Sequence, residues 1–231
     1  MSGPRFLPLG DSALTVEFGD VIAPELMQAV SALDHAIRTN PPDGVIESVP
    51  TYRSLTIHFD PLQCTHLHLT DHVKDRLAQT VMTVAQGNHW LVPVCYDLPY
   101  ALDKEEYQAA SGLAFDQSIT LHQHATFTIA MFGFMPGCAY LAGLPRALHV
   151  PRRTTPRPEV PAGSIMIGGQ QALISSVAMP TGWYVIGRTP VTIFNADENP
   201  VTPFQVGDTI SFTPIDAAQW ESAKLQQAGG D

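Results

Sequence analysis

The sequence predicts an α+β protein in two parts, a helix-covered sheet followed by a β-rich domain. Two observations carry this prediction. Apolar residues of the first part alternate between the period of a strand and that of a helix, whereas from Ala125 onward short β-branched and aromatic runs are separated by glycine and proline. We expect residues 1–96 and 97–220 to form the two domains. Residues 221–231 have too little apolar content to pack, which predicts a flexible tail.

The first part shows elements in the order β-α-β-β-α-β. Leu14, Val16 and Phe18 alternate with polar residues, as in a strand with one buried face, and Pro24 suits the first turn of the helix that follows. This order is typical of a ferredoxin-like split β-α-β unit, which places two helices on one face of an antiparallel sheet. The predicted strands cover residues 14–18, 45–49, 55–59 and 91–94, and the predicted helices cover 24–38 and 71–84.

The second part begins with two short helices and continues in strands. Asp103 and Glu106 are spaced as a capping pair for the first helix, and Asp116 opens a second one that ends near His122. Many short strands with turn residues between them indicate a barrel or a sandwich. The predicted strands cover residues 126–132, 164–168, 172–178, 183–187, 191–194 and 209–213.

Charge and cysteine content limit the class of protein. The net charge is −10, from 22 acidic and 12 basic residues, which disfavours nucleic acid and anionic membranes as partners. No apolar run approaches the roughly 18 residues of a membrane span, and the N-terminus lacks the pattern of an export signal. Three cysteines without C-x-x-C spacing argue against a disulfide framework. We therefore expect a cytoplasmic protein.

Several familiar sites are not indicated by the sequence. It contains no phosphate-binding P-loop, no dinucleotide-binding glycine motif and no esterase elbow. His66, His68 and His72 follow Cys64, but the first two alternate with leucines, which places them on an exposed side. We expect no metal site there.

A basic, proline-stiffened ribbon in the second part is the strongest candidate site. The segment PRRTTPRPEVPAGS carries Arg152, Arg153 and Arg157, and Arg146 lies just before it, so four of twelve cations fall together on an acidic protein. Such a ribbon loses little entropy on binding and suits a small anion or the groove of a partner protein. Pairing of these arginines with the protein's own carboxylates is an equally open alternative.

Three more residues could carry chemistry in the second part. His122 could act as a general base or a hydrogen-bond donor, or could simply complement a helix C-terminus. Gln171 and Trp183 could hold a polar substrate, although a tryptophan is more often a core residue. The glycines of the segment GFMPG indicate a turn where the backbone comes close to a ligand or to another strand.

Motifs in a fixed order from Gly10 to Phe212 resemble the B subunit of 5-oxoprolinase, a family also known as the KipI or allophanate hydrolase subunit 1 family. The matching motifs are GDSALTVEFGD, VPTYRSLTIHFDP, LVPVCYDLP, GFMPGCAYLAGL, PRRTTPRPEVPAGS, IGRTP and VGDTISF.

The resemblance implies that the second domain is a cyclophilin-like β-barrel. It implies an ATP-dependent amidohydrolase that opens 5-oxoproline to glutamate and is active only in a complex with two partners, the homologous C subunit and the A subunit. The complex uses ATP, and the resemblance leaves open which of its subunits binds it. Two alternatives share the scaffold: a KipI-type inhibitor of a histidine kinase, and a component of the allophanate hydrolase or urea carboxylase type that transfers a carboxyl group to an amide.

The resemblance also implies site residues. His122 and Gln171 match catalytic positions, while Arg152, Arg157 and Arg188 match positions that bind the substrate or an anion, and no metal is implied. The sequence departs from the family's motifs mainly between Gln171 and Trp183, which favours a paralogue with an altered substrate as a further alternative. The departing residues are Cys138 in place of phenylalanine, Leu173 in place of glycine, Ser175 in place of tyrosine, Ala178 in place of serine and Thr181 in place of glycine.

Overall fold

The computed structural model describes residues 3–79 and 87–227, and the chain divides into two compact units, Met1–Ala85 and Gln86–Asp231. The expected α+β class is confirmed. The first unit is a four-stranded antiparallel sheet with the order β1-β2-β4-β3. Its elements are strands Arg5–Leu9 (β1), Ala13–Glu17 (β2), Val45–Pro50 (β3) and Ser54–Phe59 (β4), and helices Pro24–Thr39 (α1) and His66–Gln79 (α2).

The two helices cover one face of this sheet. Alternate residues of β2 and β4, such as Val16 and Ile57, are fully buried and pack with the apolar faces of α1 and α2. Ser48 of β3 donates a hydrogen bond to Asp34 of α1, which ties the edge strand to the helix. The predicted helix over 71–84 begins earlier, at His66, and its last predicted turn lies outside the described residues.

The predicted set of strands in the first unit needs a correction. The edge position beside β2 is taken by β1, which the sequence did not reveal because RFLPL is short and contains a proline. The strand predicted at 91–94 does not join this sheet and belongs to the second unit. That strand is a nearly continuous apolar run, so it lacks the alternation that would have assigned it to a one-sided sheet.

The second unit is a closed seven-stranded barrel, so the choice between barrel and sandwich is settled. Its strands follow one another in the order β12-β9-β10-β7-β6-β13-β5, and pairing of Arg188 with Cys95 closes the ring. The seven strands are His89–Cys95 (β5), Phe127–Phe132 (β6), Ala139–Ala142 (β7), Ser164–Gly168 (β9), Gln171–Ile174 (β10), Tyr184–Arg188 (β12) and Thr209–Ile215 (β13).

The remaining elements of the second unit pack on the barrel. Two helices, Lys104–Ser111 (α3) and Phe115–Gln123 (α4), join one large apolar cluster with alternate barrel residues such as Ile165 and Ile167. The residue between these two, Met166, lies on the opposite face, where two short strands cover the barrel. These two strands are Arg157–Val160 (β8) and Met179–Thr181 (β11), which pair with each other.

The C-terminal segment contains two short elements of regular structure. A 3-10 turn covers Ala217–Gln219, and strand Gln226–Gln227 (β14) pairs with β5 beside Trp90. Backbone pairing thus reaches residue 227 of the segment for which a flexible tail is predicted, and residues 228–231 lie outside the described part. The strand predicted at 191–194 does not form.

None of the helices within residues 3–79 and 87–227 is both long and apolar enough to cross a membrane.

Candidate functional site

A buried carboxylate holds the basic ribbon in place. The side chain of Asp103 is 0% exposed, and its Oδ1 accepts hydrogen bonds from Arg153 and from Nε of Arg157, the latter at 2.9 Å. Its Oδ2 accepts a 2.8 Å bond from the backbone N–H of Val185. Asp103 therefore joins the start of α3, the ribbon and strand β12.

Glu106 completes the charge cluster. It accepts a 2.7 Å hydrogen bond from Arg153 and lies 3.6 Å from Arg157. The hydrogen bond from Arg153 lowers the pKa of Glu106 to about 2, whereas burial raises the pKa of Asp103 against the lowering effect of Arg157. Two guanidinium groups thus face two carboxyl groups. Of the two alternatives for the ribbon, Arg153 and Arg157 fit the second, in which the arginines pair with the protein's own carboxylates.

His122 lies in the core of the barrel unit. It is 0% exposed, shares a 3.0 Å hydrogen bond through Nδ1 with the hydroxyl of Tyr96, and stacks on Phe212 with ring centroids 4.6 Å apart. Its Nε2 is buried and has no hydrogen-bond partner among the described residues. Burial lowers the pKa of His122 to about 3, so the ring is neutral at physiological pH. In this arrangement, the ring cannot reach a substrate at the surface.

Arg152, in contrast, is exposed beside an aromatic pair. Its guanidinium carbon lies 5.7 Å from the ring centroid of Trp183, whose edge meets Tyr140 at a centroid distance of 5.8 Å. A Cβ on Gly168 would lie 2.6 Å from the indole, so this glycine is needed to seat Trp183. Burial raises the pKa of Tyr140, which keeps its hydroxyl protonated.

Gln171 emerges on the same face as this aromatic pair. It lies directly opposite Gly168 in the β9–β10 ladder, and opposed residues of an antiparallel pair point to the same side. The structure therefore brings Arg152, Gln171 and Trp183 to one face of the barrel. A cation, an amide and a tyrosine hydroxyl together could hold a small polar acid.

Arg188 lies at the other end of the same strands. Arg188 is opposite Ser164, the first residue of β9, whereas Gln171 is opposite Gly168, the last residue of β9. Four residue steps of about 3.3 Å separate these two ends of the strand. Nε of Arg188 donates a 2.8 Å hydrogen bond to the carbonyl of Ala162. The guanidinium carbon of Arg188 lies 5.3 Å from the ring centroid of Trp220. The predicted site residues therefore do not line one common site. They are His122, Arg152, Arg157, Gln171 and Arg188.

Two structural contacts of the second unit were not predicted from the sequence. Asp103 was expected only as a helix cap, yet its side chain makes no capping bond and binds the ribbon instead. Trp220 stacks on Tyr100 with ring centroids 4.2 Å apart, although it is the last residue before the segment predicted to be a flexible tail. Neither feature has a local sequence signal, because the partners lie far apart along the chain.

The GFMPG turn combines a tight packing contact with an exposed aromatic residue. A Cβ on Gly137 would lie 2.7 Å from Cβ of Phe194, so close approach to another segment explains this glycine. Phe134, at the tip, is 63% exposed and has a positive φ of 66°, a conformation that is strained for a bulky residue.

Comparison with known proteins assigns the chain to a family. The family model described as "Carboxyltransferase domain, subdomain C and D" matches residues 4–204. The B subunit of 5-oxoprolinase from Bacillus subtilis (strain 168) is 32% identical over 228 residues, which cover 94% of this chain and 95% of that protein. The chain belongs to the 5-oxoprolinase B-subunit family.

Solved structures with this fold include longer proteins. TTHA0988 is 27% identical with a TM-score of 0.79, and the match covers 90% of this chain but 40% of TTHA0988. The urea amidolyase of K. lactis shares the fold at 15% identity and a TM-score of 0.79, with 97% of this chain covering 16% of that protein. The fold of the 5-oxoprolinase B-subunit family therefore also occurs as one segment of longer chains.

Two departures from the motifs of the 5-oxoprolinase B-subunit family lie in one packed cluster. Cys138 is fully buried, with Sγ 3.6 Å from Sδ of Met179, and Leu173 belongs to the same apolar cluster. Against the phenylalanine and the glycine that the resembled motifs have at these positions, a smaller side chain at 138 accompanies a larger one at 173, so the two changes offset each other in volume. The departures thus include a repacked apolar cluster, which lies behind the barrel face that carries Arg152, Gln171 and Trp183.

Within residues 3–79 and 87–227, no three histidine, cysteine or acidic side chains come together in a way that could hold a metal ion.

Proposed function

We propose that this chain is the B subunit of an ATP-dependent 5-oxoprolinase, a cytoplasmic amidohydrolase that works only when this chain is assembled with the C and A subunits. The observation that carries the proposal is the match to the Bacillus subtilis B subunit along nearly the full length of both chains. The match spans both compact units, so it concerns the whole chain and not one domain of it.

The proposed reaction opens a five-membered lactam. Water adds to the ring carbonyl, the C–N bond breaks, and the nitrogen leaves as the amine of glutamate. An amide is a poor electrophile, so the γ-phosphoryl group of ATP would first be transferred to the carbonyl oxygen with release of ADP. The acyl phosphate left when the C–N bond breaks would be hydrolysed by a second water to carboxylate and inorganic phosphate, and cationic groups stabilise the charge that develops.

The Arg152 face is the part of this chain that we assign to the substrate. Arg152 is exposed, and Gln171 and Tyr140 supply an amide and a protonated hydroxyl on the same face. These groups suit the carboxylate and the lactam of 5-oxoproline. His122 and Arg157 are assigned a positioning role, since one is enclosed by aromatic rings and the other is held by Asp103.

ATP does not fit the densest basic cluster of the described chain. Arg153 and Arg157 are already paired with Asp103 and Glu106, so a triphosphate there would have to displace two carboxylates. We therefore assign ATP binding to the other members of the complex.

Carboxyl transfer to an amide is the second candidate function. The family description names a carboxyltransferase domain, and this favours it over kinase inhibition. The ribbon is less suited to docking on a kinase. Two of the ribbon's three arginines are paired with carboxylates of this chain, and residues 157–160 form a strand.

Reconstitution with purified C and A subunits tests the proposal. We expect 5-oxoproline-dependent ATP hydrolysis and stoichiometric glutamate, both requiring this chain. Arg152→Gln should lower turnover at least tenfold without changing the melting temperature, while Arg146→Gln, an exposed arginine outside the face, serves as the control. Formation of a carboxylated amide with a biotin carrier and bicarbonate, without glutamate, would instead establish the second candidate.

A further inference from the structure

Arg152 and Arg153 contact two consecutive aromatic residues that face opposite ways. The guanidinium carbon of Arg152 lies 5.7 Å from the ring centroid of Trp183, whose indole packs in the same cluster as Met166. The guanidinium carbon of Arg153 lies 5.4 Å from the ring centroid of Tyr184, which packs against the large apolar cluster of the barrel unit. Since the two rings lie on opposite sides of the strand, so do the two arginines that cover them.

Arg153 is held by its side chain and by its backbone. Its Nε donates a 3.3 Å hydrogen bond to the carbonyl of Thr155, one terminal nitrogen donates to both Asp103 and Glu106, and the other donates to Glu106 at 3.4 Å. Its backbone N–H donates a 2.8 Å hydrogen bond to the carbonyl of Gly182. The side chain is 14% exposed, so Arg153 attaches the ribbon to α3 on one side and to the turn between β11 and β12 on the other.

Arg152, in contrast, contacts an aromatic ring and is otherwise exposed. Within the described part of the chain, its guanidinium has neither a hydrogen-bond partner nor a carboxylate within 4 Å. An exposed arginine samples many rotamers, and the loss of that freedom on binding weakens affinity. Because an adjacent residue fixes the backbone, the place of Arg152 over the indole depends on Arg153.

We propose that Arg153 is a positioning residue that presents Arg152 to the substrate's carboxylate. The ion pair with Glu106 and the backbone bond to Gly182 keep the ribbon in one register. In that register, the guanidinium of Arg152 lies over Trp183 before the ligand arrives. The naming of an acid substrate rests on the proposed function, whereas the dependence of Arg152 on Arg153 does not.

Positioning differs from simple stabilisation in a measurable way. If Arg153 acts through Arg152, its replacement has little further effect once Arg152 has been replaced. If Arg153 only stabilises the fold, its replacement lowers activity by the same factor with or without Arg152. A set of single and double variants therefore separates the two roles.

The indole N–H signals of the isotope-labelled full chain, recorded by NMR, test the positioning without any activity. The chain has three tryptophans, and Trp183→Phe assigns the signal of interest. We expect Arg152→Gln and Arg153→Gln to shift this signal in the same direction, because the guanidinium leaves the ring in both. Added to Arg152→Gln, Arg153→Gln should cause less than half of the shift that it causes alone. Arg146→Gln, at an exposed position elsewhere, is the control, and the other two indole signals report whether the fold is kept.

Steady-state kinetics of the complex with the C and A subunits test the consequence for the substrate. We expect Arg153→Gln to lower kcat/KM for 5-oxoproline at least fivefold in the otherwise wild-type chain, and less than twofold beside Arg152→Gln. Glu106→Gln leaves Asp103 as a partner of Arg153, so its loss of kcat/KM should be smaller. The side chain of Glu106 is 53% exposed, so this variant should remain folded, and it replaces Arg153→Gln in both measurements if that variant unfolds.

The outcomes separate the positioning role from the proposed function. An unchanged Trp183 signal in Arg153→Gln would overturn the positioning role, as would equal losses of kcat/KM with and without Arg152. If the signals change as expected while the wild-type complex leaves 5-oxoproline intact, the positioning of Arg152 is supported and the proposed substrate is contradicted.

Discussion

Nε of Arg157 lies 2.9 Å from Oδ1 of Asp103, a carboxylate with no exposed surface. This contact makes Arg157 part of the structure that holds the ribbon on α3 and β12. The same arginine, judged from the sequence alone, belongs to the substrate site.

Arg157→Ala is expected to lower the free energy of unfolding by about 2 to 3 kcal/mol, because a buried carboxylate loses one of its two guanidinium partners. Arg152→Ala, which removes an exposed arginine of the same ribbon, should stay within about 0.5 kcal/mol of the wild type. Urea unfolding at pH 7 measures both. Equal unfolding free energies of the two variants would contradict a stabilising role of the contact between Arg157 and Asp103.

The neutral, buried His122 should make stability depend on pH. Its pKa is about 3 when folded and 6.5 in its ordinary state, so below pH 6.5 the unfolded chain takes up a proton that the folded chain does not. The contribution is complete above pH 6.5 and is lost as the pH falls towards 3. The difference in unfolding free energy between wild type and His122→Gln should shift by up to about 1.4 kcal/mol per pH unit between pH 6 and 4. A difference that stays constant over that range would contradict a buried neutral ring.

Asp208 should be a structural carboxylate of the barrel. It accepts hydrogen bonds from the backbone N–H of Asn88 at 2.8 Å, the indole of Trp90 at 2.9 Å and the N–H of Gln205 at 2.9 Å. Asp208→Asn turns one acceptor oxygen into a donor facing these donors, and should cost about 2 to 4 kcal/mol. Asp97→Asn, at an exposed position, is the control, and tryptophan fluorescence during urea unfolding follows both variants.

Phe134 offers a test of whether strain at the GFMPG turn serves assembly. Phe134→Gly should stabilise the isolated chain by about 1 kcal/mol, since glycine accepts a positive φ and little buried surface is lost. Phe134→Ala removes the ring and keeps the strain, so it should not stabilise. If the ring contacts the C subunit, both variants should weaken the complex in sedimentation, and unchanged assembly would exclude that contact.

The cluster behind Trp183 should show coupled packing. Cys138→Phe alone should cost about 1 to 3 kcal/mol through overpacking. Adding Leu173→Gly should recover part of that loss, so that the double variant is more stable than the sum of the two single changes predicts. Strict additivity in urea unfolding would show that the two positions vary independently.

Local patterns in the sequence were sufficient for most helices and for strands with one buried face. The alternation of apolar residues identifies strands Ala13–Glu17 and Ser54–Phe59, and their helical spacing identifies Pro24–Thr39. Strand pairing was less accessible, because the apolar run of β5 fits either sheet and only its partner β13 decides.

For the candidate site, the sequence indicates residue types but not the contacts between them, for a similar reason. Arg152, Gln171 and Trp183 were identified and lie on one face, although nothing in the sequence shows that they do. The pairing of Arg157 with Asp103 was not predicted, because the two residues are 54 positions apart and no periodicity connects them. Ion pairs and stacking between distant segments are properties of the folded chain.

The parallel pairing of β5 with β13 also constrains how the protein is made. His89 lies opposite Thr209, 120 positions later, so the ring of strands cannot close until the residues of β13 have left the ribosome. The first unit, with its own core, can acquire its shape while synthesis continues. Until its last long strand arrives, the second unit exposes unpaired edges, and that interval is when we expect the nascent chain to need chaperones most.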